Sequence, residues 1–99
     1  MKTKPWFVYI IETEKGLLYT GVTTDIQRRF EEHSKKKGGA KFFNIDAPKN
    51  FLYLKSVENR SQATKIEISI KKLSRFKKLE LIKDQFIETQ ETLQKIIYP

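Results

Sequence analysis

The sequence predicts an α+β domain: a small three-stranded antiparallel sheet flanked by helices, in the order β-β-α-β-α-α plus a C-terminal tail. Three observations carry this reading. An unbroken apolar run, Trp6 to Ile11, is followed after a short gap ending in Gly16 by a second strand-like segment, Leu17 to Thr23. A third segment, Phe51 to Val57, alternates apolar and polar residues. Between and beyond them, apolar residues recur at helical spacing behind residues that cap helices.

Each element has a local reason. Trp-Phe-Val-Tyr-Ile-Ile is rich in β-branched and aromatic residues and is strand-length, which suits a strand buried on both faces. Glu12 to Gly16 reads as a hairpin loop in which Gly16 takes a positive φ, and Leu17 to Thr23 as the return strand. Thr24-x-x-Gln27 has the form of a capping box, with Asp25 in the first turn where the helix dipole favours an anion. The helix it opens is predicted from about Asp25 to Lys36. Three lysines and two glycines, Lys35 to Gly39, end it. Pro48 and Asn50 mark a turn before the third strand. Asn59 to Ser61 caps a helix at about Gln62 to Leu73, and Ser74 caps another at about Arg75 to Lys83. Residues 85–99 are set apart from a 1–84 domain as a helical segment or tail. In a helix from Asp84 to Tyr98, Phe86, Leu93 and Ile97 would share one side.

Composition bounds the function. The chain has 99 residues, enough for one compact domain. Hydrophobic residues make up 38 % and charged residues 32 %, which suits a modest core rather than disorder. With no cysteine, disulfides and thiolate metal sites are excluded, and a cytoplasmic location is expected. No apolar run reaches bilayer length and no signal-peptide pattern is seen, so no membrane partner is expected. Net charge is +8, and residues 84–99 contribute −2, leaving +10 on residues 1–83. A positive field of that size attracts polyanions, phosphate backbones foremost.

Five side chains could carry chemistry. With the loop centred near Glu14, Tyr9 and Tyr19 face each other across the hairpin and bring two phenols together; an ordinary aromatic cross-strand pair would look the same. Gly21, on the same face, marks a close approach of backbone or ligand. At 100° per residue Ile26, Arg29, Phe30 and His33 share the inner side of the first helix, and Arg28 turns out. Arg29 could instead snorkel at the core edge, and His33 could be a structural imidazole. Glu67 sits at the edge of the stripe formed by Ala63, Ile66, Ile70 and Leu73. A carboxylate there needs a cation, a donor or a metal, or else leans out to pair with Lys71 one turn on.

Val8-Tyr9-Ile10, Tyr19-Thr20-Gly21, Arg29-x-x-x-His33 and a later helical Glu67 together resemble the GIY-YIG nuclease superfamily. Phe7-Val8 replaces the Gly-Ile of the name, and Thr20 stands for the Ile of the second triplet. Leu18 to Asp25, Gly39-Ala40-Lys41, Arg60 to Ala63 and Ile70 to Leu73 are similar to a small stand-alone bacterial subgroup. The resemblance covers about residues 5–85. Val22 stands where several members carry Lys, and no Asn follows Glu67.

The resemblance implies a metal-dependent endonuclease acting on nucleic acid, with DNA expected, in repair or processing. Glu67 would hold Mg²⁺ or Mn²⁺, since such ions are often bound by one or two carboxylates plus substrate phosphates and water. Arg29 would fork onto phosphate oxygens. Tyr9 would be the general base, with its pKa lowered by Arg29 and the metal and with His33 accepting its proton; Tyr19 would position water or phosphate. Lys35, Lys36, Lys37 and Lys41 would contact backbone phosphates. A monomer is expected, with a partner protein for targeting if sequence preference is needed. The alternative is a nucleic-acid-binding module that cleaves slowly or not at all. A third reading is a protein-interaction domain whose tail docks a partner.

Overall fold

The structure, a computed structural model, describes residues 4–29 and 48–97. Its elements are β1 (Trp6–Thr13), β2 (Leu18–Thr23), β3 (Pro48–Val57), α1 (Arg60–Lys71), α2 (Arg75–Asp84) and α3 (Phe86–Ile97), with one helical turn at 26–29 ahead of β3. The three strands form one antiparallel sheet in the order β2-β1-β3, as the α+β reading predicts.

β1 is the central strand, which explains its unbroken apolar run. Phe7, Tyr9 and Ile11 point to one face and pack with Ile26 and Leu54, against which Leu93 and Ile96 of α3 lie. Val8 and Ile10 point to the other face and pack with Tyr53, Ala63 and Ile70, joined by Leu81 and Ile82 of α2. The sheet is therefore covered on both sides, α1 and α2 on one and the 26–29 turn and α3 on the other.

The hairpin turn is built by Thr13 and Gly16. Thr13 Oγ1 accepts the Leu17 N–H at 2.9 Å, and the Gly16 N–H donates to the Thr13 carbonyl at 2.9 Å. Gly16 has φ 83°, the left-handed region where a Cβ is penalised. This tight closure extends β1 to Thr13 and moves the loop centre one residue beyond Glu14. Tyr9 therefore pairs with Gly21, and Tyr19 with Ile11. The two tyrosines are diagonal neighbours, not the directly opposed pair expected from the sequence. A slip of two residues keeps every side chain on its face, so both phenols still share one.

Thr20, opposite Ile10, faces the helices α1 and α2. Its hydroxyl is buried without a hydrogen-bond partner among the described residues. An unsatisfied buried hydroxyl costs about 1–3 kcal/mol. Thr20→Val, which keeps the shape and removes the hydroxyl, is expected to raise unfolding stability by about 1 kcal/mol, measured by urea denaturation; a loss of stability would show that the hydroxyl is satisfied after all.

Helix starts follow the capping rules with one correction. Asn59 accepts the Gln62 N–H at 2.9 Å and Ser74 the Lys77 N–H at 3.2 Å, both as read from the sequence. In the first helix the cap is Asp25, not Thr24: its carboxylate accepts the Arg28 N–H at 3.0 Å, while Thr23 Oγ1 accepts the Asp25 N–H at 3.1 Å. The rest of that predicted helix, to Lys36, lies outside the described residues. β3 begins at Pro48, three residues earlier than expected. An edge strand tolerates proline at its first residue, and register shifts opposite Ile10/Ile11 and Glu12/Thr13 take up the irregularity.

Residues 86–97 form a helix packed on the sheet. Its inner face is Thr89, Leu93 and Ile96. Phe86, placed on that face by spacing alone, is 56 % exposed, and the side chains of Ile97 and Tyr98 lie outside the described part. Thr89 is fully buried and its hydroxyl accepts the Leu54 N–H at 3.3 Å. α3 thus satisfies a backbone donor on β3, an edge strand.

Candidate functional site

The site assembles around the Tyr9 ring. A Cβ built on Gly21 would lie 2.5 Å from Tyr9 Oη and 2.6 Å from its Cζ. The ring therefore crosses the edge strand β2 at the one position with no side chain, which is the close approach that a glycine within a strand suggests. Phe51 meets the ring edge-on, with centroids 5.9 Å apart at 89°. Tyr19 lies tilted at 33° with centroids 6.4 Å apart. Tyr9 is 2 % exposed, whereas Tyr19 is only partly buried.

Arg29 belongs to the turn that Asp25 caps. It is partly buried while Arg28 is exposed, the phase read from the sequence. Glu67 comes from α1, which packs on β2 and β1 from the opposite face of the sheet. Its side chain is 19 % exposed and pairs with Lys71 at 3.3 Å, so the surface pair and the inward placement hold together.

These groups meet electrostatically at one atom. The Tyr9 hydroxyl is pushed well above the ordinary phenol value of 10.0, chiefly by burial. Tyr19 and then Glu67 add to the rise, and Arg29 opposes it. A second phenol, a guanidinium and a carboxylate, each from a different element, thus all act on the Tyr9 hydroxyl. The expected lowering of Tyr9 by Arg29 is present but is outweighed, because removing a phenolate from water costs more than one nearby cation returns. His33, Lys35, Lys36, Lys37 and Lys41 lie outside the described residues, and so does Phe30.

The donor set suits a hard divalent cation. Glu67 offers a carboxylate, and the Tyr9 and Tyr19 phenols are also oxygen groups. Among the described residues no group of three His, Cys, Asp or Glu side chains gathers, so an all-protein cage is not formed there. A single carboxylate fits the mode in which phosphate oxygens and waters complete the metal shell.

Elsewhere, Tyr53 lines an apolar cavity of about 340 Å³ with Ile66, Ile70, Leu73 and Leu81. It lies on the face away from the Tyr9 ring. Burial raises the Tyr53 hydroxyl as well, but no carboxylate or guanidinium lines that cavity. Among the described residues no helix is long and apolar enough to cross a membrane.

Comparison with known proteins identifies the family. A profile described as the GIY-YIG catalytic domain matches residues 5–80. The UPF0213 protein DP2720 of Desulfotalea psychrophila is 42 % identical over 78 residues, covering 79 % of this chain and 71 % of that protein. A UPF0213 protein of Syntrophus aciditrophicus is 43 % identical over 77 residues, 78 % of this chain and 88 % of the relative. The solution NMR structure of the UPF0213 protein BH0048 from Bacillus halodurans superposes with a TM-score of 0.53 at 35 % identity, covering 80 % of this chain and 83 % of that one. The chain belongs to the GIY-YIG nuclease family, alongside UPF0213 relatives.

Proposed function

We propose that this protein is a divalent-metal-dependent endonuclease that hydrolyses phosphodiester bonds, with DNA as its substrate. The observation that supports this reading best is the Tyr9 ring lying against Gly21 beside Tyr19, in a chain matching the GIY-YIG catalytic domain, with Arg29 and Glu67 acting on the same hydroxyl. Phosphodiester hydrolysis needs an oriented water, neutralised phosphate charge and a stabilised leaving oxygen. Glu67 would hold Mg²⁺ or Mn²⁺, which when bound supplies Lewis-acid charge and a template. Arg29 presents a planar fork to non-bridging oxygens. Burial holds the Tyr9 proton, so its service as general base depends on Arg29 and the bound metal ion lowering that affinity. Tyr19 is the more accessible phenol and orients the attacking water.

Binding without appreciable cleavage is the second reading, and one contact favours it. Lys71 lies 3.3 Å from one oxygen of Glu67 and competes with a metal for that carboxylate. Nicking of supercoiled plasmid with Mg²⁺ or Mn²⁺, with EDTA as control, separates the two. Metal-dependent nicking is expected; its absence with intact DNA binding would support the second reading.

A further inference from the structure

We propose that the corner between α1 and α2 is a second binding surface, taking a nucleic-acid strand with unpaired bases. Its use in delivering a strand to Glu67 rests on the nuclease reading; the binding itself stands on the following observations.

The surface is densely cationic. Between residues 71 and 83 the chain holds Lys71, Lys72, Arg75, Lys77, Lys78 and Lys83 against a single acid, Glu80. All of these except the half-buried Lys78 are exposed, and the Lys71 and Lys77 side chains are 57 % and 64 % exposed. Helix stability does not explain the arrangement. The first turn of α2 carries Arg75 and Lys77 and no acid, although the dipole there favours anions. The charge fits an anionic backbone outside the protein.

An aromatic ring stands among the cations. Phe76 is 69 % exposed and follows Arg75 directly. Leu79, one turn on along the same side, is 42 % exposed. The helix packs on the core through Leu81 and Ile82, which leaves Phe76 and Leu79 on its outer side. An exposed ring flanked by cations is the arrangement that takes single strands: cations track phosphates and the ring stacks on a base. A paired base inside a duplex offers no free face, so the ring selects for unpaired nucleotides.

The surface is continuous with the site. Lys71 is ion-paired with Glu67, and the adjoining Lys72 is the C-cap of α1, three residues before Arg75 opens α2. A strand held on Phe76 and Arg75 that also reaches Lys71 would set its phosphates in competition with Glu67 for that lysine.

The test is fluorescence anisotropy in EDTA, which removes cleavage from the readout, with single-stranded DNA, single-stranded RNA and duplex DNA of equal length. Phe76→Ala is expected to weaken binding of the single strands by roughly 5- to 100-fold and to leave duplex binding unchanged within about twofold. Phe76→Trp should restore the affinity. Arg75→Ala should weaken all three and shallow the salt dependence by about one phosphate contact. Loss on only one of the two single strands identifies the sugar that the surface accepts. The proposal is overturned if Phe76→Ala leaves single-strand affinity intact, or if it lowers duplex affinity equally. A change in oligomeric state with Phe76→Ala in sedimentation, without a change in strand binding, would make the ring a protein contact and also overturn it. Plasmid nicking is scored separately, so an inactive protein with a Phe76-dependent strand site removes the nuclease reading alone.

Discussion

Glu67→Gln is expected to lower metal-dependent nicking by at least about a hundredfold while leaving stability nearly unchanged. The two effects separate because Glu67 is tied to the fold by little. Its ion-pair partner, Lys71, is 57 % exposed, and an i,i+4 pair of that kind is worth a few tenths of a kcal/mol. The carboxylate is nevertheless 19 % exposed and faces the Tyr9 hydroxyl electrostatically, so its charge matters to the site more than to the helix. A third readout needs no activity. Glu67 contributes to the upward shift of Tyr9, so removing its negative charge lowers the pH at which Tyr9 ionises, although burial still holds it above 10.0. Tyrosinate absorbance during an alkaline titration, compared with a Tyr9→Phe control, measures this. Undiminished nicking by Glu67→Gln would end the metal role, and an unmoved Tyr9 transition would show that Glu67 does not act on that hydroxyl.

Gly21→Ala is expected to cost about 1–3 kcal/mol of stability and to cut nicking by about a hundredfold. The added methyl would stand 2.5 Å from Tyr9 Oη, 2.6 Å from Cζ and 3.2 Å from Cε1. A flexible side chain could swing away, but this ring is held between Phe51 and Tyr19 and is 2 % exposed. It can move only by breaking that packing, which carries the hydroxyl away from Arg29 and Glu67. The cause can be isolated. In a Tyr9→Ala background the methyl meets no ring, so the further cost of Gly21→Ala should nearly vanish, and the double-mutant cycle should show strong coupling. Denaturant melts of the four proteins test it. Additive losses would mean that the ring does not lie over Gly21.

Much of the site was legible in the chain because each part obeys a local rule. Helical phase turned Arg29 inward and Arg28 outward, and strand parity put Tyr9, Tyr19 and Gly21 on one face. Helix phase also set Glu67 at the border of an apolar stripe. Other features were not legible. The hairpin register depended on Thr13 closing the turn through its own side chain, a contact that composition does not reveal. The packed face of α3 depended on a backbone N–H at Leu54 needing an acceptor, which Thr89 supplies and Phe86 cannot.

The sequence by itself determined the three strands, two of the three helix caps and the inward side of β1, β2 and α1, because these follow from neighbours a few positions apart. Only the tertiary structure decided that a carboxylate from α1, packed beneath the sheet, acts on a phenol lying above it. The physical reason is that β2 is an edge strand with no side chain at Gly21. The Tyr9 ring can therefore lie against that strand, and burial raises the affinity of its hydroxyl for the proton, against the lowering that Arg29 and a metal were expected to give.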